Sequence, residues 1–249
     1  MKVTAIIQAR MGSTRLPEKV MMKIKDKTVI QHVVERVKAA KNIDDIIIAT
    51  TLNKSDCIIQ EEAEKLGVKC FRGSEEDVLA RYYLAAKQNS SDIIIRITSD
   101  CPVMDYKIIE KMIEKFLVYN KKDKIDYMSN FDVVPNTFPR GMDIEIFTFA
   151  ALEKTYKETS KKYEREHVTP YIYENIDMFK IRGFMNNENF SKYRFTLDTI
   201  EDFRAISTIY NYLYDENEIF GLEEIINLVK NNTFIEKINN NVKQKKLNE

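Results

Sequence analysis

The stretch Ala5-Ile6-Ile7-Gln8-Ala9-Arg10-Met11-Gly12-Ser13-Thr14-Arg15-Leu16-Pro17-Glu18-Lys19 decides the fold class. A short apolar run that reads as a β-strand ends in a loop holding one glycine, two hydroxyls and three cations. Gly12 permits a tight backbone, and Ser13 and Thr14 add N–H and O–H donors. Arg10, Arg15 and Lys19 cannot all be buried without a strong counter-charge. A strand running into a tight basic loop is how α/β proteins commonly hold a polyphosphate. The plainer alternative is a solvated basic turn.

Working outward to residue 120, β-branched or apolar runs at Val3–Gln8, Asp45–Thr50, Val68–Phe71 and Asp92–Ile97 read as strands. Helical patterns lie between them at Thr28–Lys41, Lys54–Leu66 and Glu75–Gln88. In the first helix Val29, Ile30, Val33, Val34 and Val37 share one face. Ser74 followed by Asp77 resembles a capping box. Strands alternating with amphipathic helices predict an α/β fold with a mainly parallel sheet covered on both faces. Beyond residue 120 the rhythm changes. Ile125–Met128, Met142–Phe147, Met178–Phe184 and Tyr193–Thr196 read as strands, Met142–Phe147 from its alternation of acidic and apolar residues. Thr148–Glu158 and Glu164–Asn175 read as helices, and Leu197–Tyr214 returns the chain to the core. The expected organisation is one domain over 1–230, with 125–190 an α+β excursion and 231–249 a loose or weakly helical tail.

The chain has 249 residues, ample for a sizeable core, and its 39 cations balance 39 anions. That balance argues against a general nucleic-acid binder, which shows a basic excess. No apolar run approaches the ~18 residues of a membrane span, and the N-terminus has no signal-peptide pattern. Cys57, Cys70 and Cys101 lack metal-ligand spacing, as expected of a reduced cytoplasmic protein.

Neither a Walker A loop nor a Gly-x-Gly-x-x-Gly fingerprint occurs, so the first loop relies on arginine and lysine more than on glycine-borne backbone. Guanidinium forks suit phosphate oxygens, lysine supplies a mobile point charge, and such a clamp stabilises a pyrophosphate leaving group. Arg96-Ile97-Thr98-Ser99-Asp100-Cys101-Pro102 sets an aspartate just past a central strand, where α/β sheets bind ligands. Phe195-Thr196-Leu197-Asp198-Thr199-Ile200-Glu201-Asp202 repeats the arrangement. Two readings stand side by side: Asp100 and Asp198 share one Mg²⁺, or each caps the following helix. Phe71-Arg72-Gly73-Ser74-Glu75-Glu76-Asp77 offers backbone groups and Arg72 to a pyrimidine edge, or is a plain βα turn. Arg140 and Arg165 could bind an acidic acceptor and His167 could orient its hydroxyl; a structural histidine is the alternative.

The stretches IIQARMGSTRLPEKV, FRGSEEDVLARYY, RITSDCPVMD, FPRGMDIEIF, EREHVTPYIYE and FTLDTIEDF together resemble the cytidylyltransferase family that includes the spore coat polysaccharide biosynthesis protein SpsF. That family is related to the acylneuraminate and 3-deoxy-manno-octulosonate cytidylyltransferases. The resemblance extends from residue 6 to about residue 203. It implies a Rossmann-like nucleotide-diphospho-sugar transferase fold, Mg²⁺ dependence, a homodimer formed through the excursion, and cytoplasmic work on CTP and an acidic small molecule. It further implies that an acceptor oxygen attacks the α-phosphate of CTP and pyrophosphate leaves, in surface polysaccharide or glycoconjugate synthesis. Carried over by motif, Arg10, Gly12, Ser13, Arg15 and Lys19 hold the triphosphate, Arg72 and Ser74 lie near the cytidine, and Asp100 and Asp198 hold the metal. Arg10, Lys19 and Asp100 are then the catalytic set. The chain has Gln8 where sialate-activating relatives usually carry proline, and Met11-Gly12 where they often carry paired glycines. A nucleotide-sugar glycosyltransferase is the competing enzyme reading, although Asp100-Cys101-Pro102 lacks that class's Asp-x-Asp pair. A non-catalytic nucleotide-binding protein is the third.

Overall fold

The computed structural model describes residues 1–244. Its centre is the quoted strand, β1 (Val3–Gln8), which lies between β4 (Asp45–Thr51) and β6 (Ile93–Thr98) and runs parallel to both. With β5 (Lys69–Gly73), β7 (Tyr127–Ser129), β8 (Glu145–Thr148) and β9 (Ile181–Gly183) they form one seven-stranded sheet, ordered β5-β4-β1-β6-β8-β7-β9. Only β8 runs against its neighbours. A small hairpin, β2 (Lys23–Ile24) with β3 (Lys27–Thr28), stands apart.

Both faces are covered. Ala5 and Ile7 of β1, with Ile95 and Ile97 of β6, face α1 (Val29–Ala39), α2 (Cys57–Lys65), α4 (Tyr106–Asp123), α8 (Ile200–Leu213) and α9 (Leu222–Asn231). Ile6 and Ile94 point the other way, to α3 (Val78–Gln88), α5 (Phe149–Glu158) and α7 (Pro170–Glu174). Two-sided burial explains why the central strands read as unbroken apolar runs. The valine–isoleucine stripe expected on α1 is buried throughout, and Thr28 caps that helix by accepting from the Gln31 N–H at 3.1 Å.

Several local expectations are corrected. Helix α3 starts at Val78, with Asp77 itself the cap; Ser74 Oγ accepts from the Asp77 N–H one turn earlier. Residues 164–175 form two short helices, α6 (Lys162–His167) and α7. They break where Val168 takes a φ of 75° and Pro170 follows. The strand expected at Tyr193–Thr196 is a single bridge between Arg194 and Arg140. The strand expected over Met142–Phe147 shortens to β8 and is buried on both faces, because Glu145 is neutralised inside by Arg96 and Tyr127. Helix α4, helix α9 and the β2–β3 hairpin were not foreseen. After α9 the chain forms α10 (Phe234–Asn239), which packs on α8; residues 245–249 of the expected tail lie outside the described residues. Residues 125–190 supply β7, β8 and β9, so that stretch is built into the main sheet.

Candidate active site

The loop after β1 is pinned, not free. Met11 N–H donates to Asp56 Oδ1 at 2.8 Å, and the Met11 carbonyl accepts from the Ser13 and Glu18 N–H groups at 2.8 and 3.1 Å. Met11 is thereby a buried plug, and residues 12–18 arch over the C-terminal edge of the sheet. Glu18 closes the arch in the left-handed region, at φ 59°. Gly12 and Ser13 lie on the outside of this arch, Gly12 exposed and a Cβ on it 3.4 Å from Glu75 Oε1.

The three cations of the loop then find separate roles. Lys19 reaches inward, its Nζ 3.0 Å from Asp100 Oδ2, 3.0 Å from Asp198 Oδ1 and 2.7 Å from the Leu197 carbonyl. Arg15 meets Asp198 Oδ2 at 2.9 Å. Arg10 stays exposed, 3.2 Å from Glu75 Oε1. Asp100 and Asp198 are 81 and 179 residues from Lys19 in sequence, yet both converge on its ammonium.

Neither aspartate is a helix cap. Helix α4 is capped by Asp105, and α8 by a capping box of Thr199 with Asp202. The arm that carries Asp198 is instead tied to β6: Leu197 N–H and Thr196 Oγ1 donate to the Asp100 carbonyl at 2.8 and 3.3 Å. Gly141 presses on the same arm at φ 99°, and a Cβ there would fall 2.5 Å from the Phe195 carbonyl carbon.

The electrostatics follow from this packing. Burial alone would raise the Asp100 pKa, but the Lys19 charge and the Thr98 hydroxyl hold it down at about 2. Burial alone would lower the Lys19 pKa; Asp100 and then Asp198 outweigh it and move it up. Both groups stay ionised across the physiological range.

Arg72 and Ser74 lie at the β5–α3 turn. Every nitrogen of the Arg72 guanidinium is engaged there, donating to the Thr51 and Asn53 carbonyls, both at 2.9 Å, and to Cys57 Sγ and Gln60 Oε1. Arg140 joins the Asp198 arm through its backbone, and its side chain meets Asp143 Oδ2 at 3.3 Å. Arg165 is elsewhere, paired with Asp77 at the start of α3 at 2.6 Å. His167, half-buried, ends α6.

Four residues that sequence reasoning passed over complete the site. Arg194 grips Asp198 at 2.8 Å and Asp202 at 2.9 Å, and Asn239 of α10 donates to Asp202 Oδ1 at 2.8 Å. Glu75 joins Arg10 to Asn53 across two loops. Asp143 keeps one buried oxygen, Oδ1, without a hydrogen-bond partner among the described residues; burial, its largest influence, raises its pKa.

The cytidylyltransferase family model matches residues 4–246. Among solved structures, the chain resembles a cytidylyltransferase from Leptospira borgpetersenii serovar Hardjo-bovis, with 40% identity and a TM-score of 0.90. The likeness covers 99% of this chain and 100% of that one. The spore coat polysaccharide biosynthesis protein SpsF of Bacillus subtilis is 31% identical over 91% of this chain and 93% of its own. A shorter match, 36% identical over 47% of this chain and 48% of the relative, is to an 8-amino-3,8-dideoxy-manno-octulosonate cytidylyltransferase from Shewanella frigidimarina. With Asp100, Asp198 and the basic loop assembled beside a mainly parallel sheet, these matches show that the chain belongs to the cytidylyltransferase family.

Proposed function

We propose that the protein transfers CMP from CTP to a hydroxyl of an acidic sugar or a related acid, for surface polysaccharide or glycoconjugate synthesis. The observation that carries this reading is the oxygen nest around Lys19 Nζ, formed by Asp100, Asp198 and the Leu197 carbonyl at 2.7–3.0 Å. An ammonium already occupies a site of hard oxygens, which is the donor set Mg²⁺ takes. Among the described residues no three His, Cys, Asp or Glu side chains gather as a metal site, so two carboxylates plus phosphate oxygens fit the small Mg²⁺ better than an all-protein cage. Asp100 and Asp198 would hold it; when bound, it screens the phosphates and makes the α-phosphorus more electrophilic.

Arg10, Arg15 and Lys19, with Gly12 and Ser13 lining the loop, hold the triphosphate. The acceptor hydroxyl gives its proton to solvent and its oxygen bonds to the α-phosphorus, the bond from that phosphorus to the α,β-bridging oxygen breaks, and Arg10 and Lys19 neutralise the charge that moves onto pyrophosphate. Arg72 and Ser74 shape the turn beside the cytidine. Arg140 is the acceptor-side cation nearest the Asp198 arm. Arg165 and His167 stand on α6, where Arg165 pairs with Asp77 at the start of α3, and would contact only an acceptor that extends that far.

The reading extends to a homodimer built through residues 125–190. Ile176, Met178 and Met185 support it as exposed apolar side chains, whereas Phe138 and Phe147 of the same stretch are buried and add nothing to such a surface. Light scattering should give twice the chain mass at micromolar concentration. Among the described residues no helix is long and apolar enough to cross a membrane, in keeping with work on cytoplasmic CTP. Pyrophosphate release tests the reaction: CTP, Mg²⁺ and a panel of acidic sugars should give turnover with at least one acceptor. Transfer from a nucleotide sugar with no pyrophosphate release would reverse the assignment.

A further inference from the structure

The Lys19 ammonium is held by three oxygens: Asp100 Oδ2 and Asp198 Oδ1, both at 3.0 Å, and the Leu197 carbonyl at 2.7 Å. The other oxygen of Asp198, Oδ2, already has two partners, Arg15 at 2.9 Å and Arg194 at 2.8 Å. Arg194 is itself fixed by Asp202 at 2.9 and 3.0 Å, and Asp202 accepts from the Asp198 N–H at 3.0 Å. The Asp198 carboxylate is therefore locked in one orientation. Oδ1 is the oxygen it offers to the site, and Oδ1 is the oxygen that Lys19 covers.

A divalent cation that takes both aspartates must therefore bind where the ammonium now sits. Mg²⁺ bonds its oxygens at about 2.1 Å, and two positive charges on the same pair of partly buried carboxylates repel. Ammonium and metal are alternatives. Exchange has a way in, because Asp100 is 24% exposed and Lys19 12%. The Lys19 backbone opens a short 3₁₀ turn, Lys19–Met21, anchored by buried Val20. Its four-carbon stem can swing while that turn stays in place. An ammonium drawn off three oxygens needs others in their stead, and a triphosphate held at the loop by Arg10 and Arg15 supplies them.

We propose that Lys19 gates the metal site: it fills the Asp100–Asp198 pair until the phosphates of CTP draw its ammonium away, and Mg²⁺ enters in exchange. This rests on the CTP reading above. Metal without phosphate leaves the ammonium stranded, and phosphate without metal leaves two carboxylates facing each other uncompensated. With both ligands present each cost is cancelled. CTP and Mg²⁺ therefore strengthen one another by a common factor, about 5- to 150-fold for a coupling of ordinary size. When pyrophosphate leaves, Lys19 loses its phosphate partner, returns to the aspartates and expels the metal.

The probe is Mn²⁺, which suits the same carboxylate and carbonyl oxygens, with free Mn²⁺ counted by electron paramagnetic resonance. Nucleotide-free, full-length wild-type protein should show no saturable binding that Asp198→Asn removes. Lys19→Met removes the charge at similar length, and should bind a single Mn²⁺ about 5- to 150-fold more tightly than wild type. Adding Asp198→Asn to Lys19→Met should abolish that gain, which places the ion. Lys19→Gln, a milder change that keeps an N–H donor between the carboxylates, should show a gain in the same direction. With CTP added, and Mn²⁺ bound to CTP in solution subtracted, wild-type protein should bind a single Mn²⁺ saturably. Nucleotide-free wild type that binds Mn²⁺ as tightly as Lys19→Met would overturn the gate, and so would the absence of any gain in both Lys19 variants. CTP that binds wild type without bringing Mn²⁺ to the protein would overturn the exchange and leave the cytidylyl reading standing. Wild-type protein that binds no CTP at all would overturn that reading, and the exchange with it.

Discussion

Replacing Asp198 by asparagine separates a metal ligand from a mere counter-ion. The side chain is 12% exposed and accepts from Arg194 at 2.8 Å, Arg15 at 2.9 Å and Lys19 at 3.0 Å. Asparagine keeps the size and one acceptor oxygen but removes the charge. Breaking a buried ion pair from one side costs ~3–5 kcal/mol. Here much is retained, since Lys19 keeps Asp100 and the Leu197 carbonyl, and Arg194 keeps Asp202. The expected loss of stability is therefore about 1–3 kcal/mol, a melting shift of roughly 2–12 °C for a chain of this size. The α8 cap is Thr199 and is untouched. The site gains one positive charge, so CTP should bind as well as before or somewhat better. Turnover should fall by about 100- to 1,000-fold, or ~3–4 kcal/mol of transition-state stabilisation, with partial recovery in Mn²⁺ or high Mg²⁺. The assay is pyrophosphate release at saturating CTP, with calorimetric CTP binding and a thermal melt alongside. A variant that turns over within about threefold of wild type at ordinary Mg²⁺ would refute the reasoning and leave Asp198 a structural counter-ion.

Other perturbations divide the site further. Arg10→Ala removes an exposed cation paired with Glu75; it should melt like wild type yet lose about 100-fold in turnover. Lys19→Ala should behave differently, because it leaves Asp100 and Asp198 facing each other; its melting temperature should drop, and Mg²⁺ alone should restore more stability to it than to wild type. Gly141→Ala forces a Cβ into the backbone of Phe195 and Thr196. It should cost about 2–4 kcal/mol and displace the Asp198 arm, measured as lower stability and activity together. Asp100, held at about 2 in the fold against 3.8 for the ordinary group, binds its proton more readily when unfolded. It therefore adds stability above pH 3.8 that is lost as the pH falls toward 2, and Asp100→Asn should flatten that limb of the melting curve against pH.

The strands of the first half were readable because a parallel sheet buried on both faces imposes unbroken apolar runs, as in Ile93-Ile94-Ile95. The middle of the chain hides its structure for a physical reason. Glu145 looks solvent-facing in an alternating pattern, but Arg96, 49 residues away, neutralises it inside. Likewise Val168 gives no local warning of its left-handed backbone, and only Pro170 marks the helix break. In the site, the loop cations and Asp100 were legible beside the ends of β1 and β6, which are neighbours in the sheet, whereas Asp198 reaches Lys19 on an arm outside the sheet that the Asp100 carbonyl holds. What no local pattern encodes is which guanidinium is satisfied. Arg72 and Arg81 look equivalent in Phe71-Arg72-Gly73-Ser74-Glu75-Glu76-Asp77-Val78-Leu79-Ala80-Arg81, yet the turn spends its acceptors on Arg72 alone. Arg194 was missed because it lies in a segment that forms a single bridge, where strand periodicity carries no information about partners.

The central claim is that the α-phosphate of CTP moves to an acceptor hydroxyl, and isotope placement tests it directly. Wild-type protein is incubated with Mg²⁺, an acidic sugar acceptor that supports turnover, and CTP labelled with ³²P at either the α or the γ position. Label from the α position should appear in a CMP-linked acceptor and label from the γ position in pyrophosphate, with Asp100→Asn reducing both in parallel. Label passing from the γ position to the acceptor, or release of free CMP with no labelled acceptor from any acidic sugar, would contradict the account.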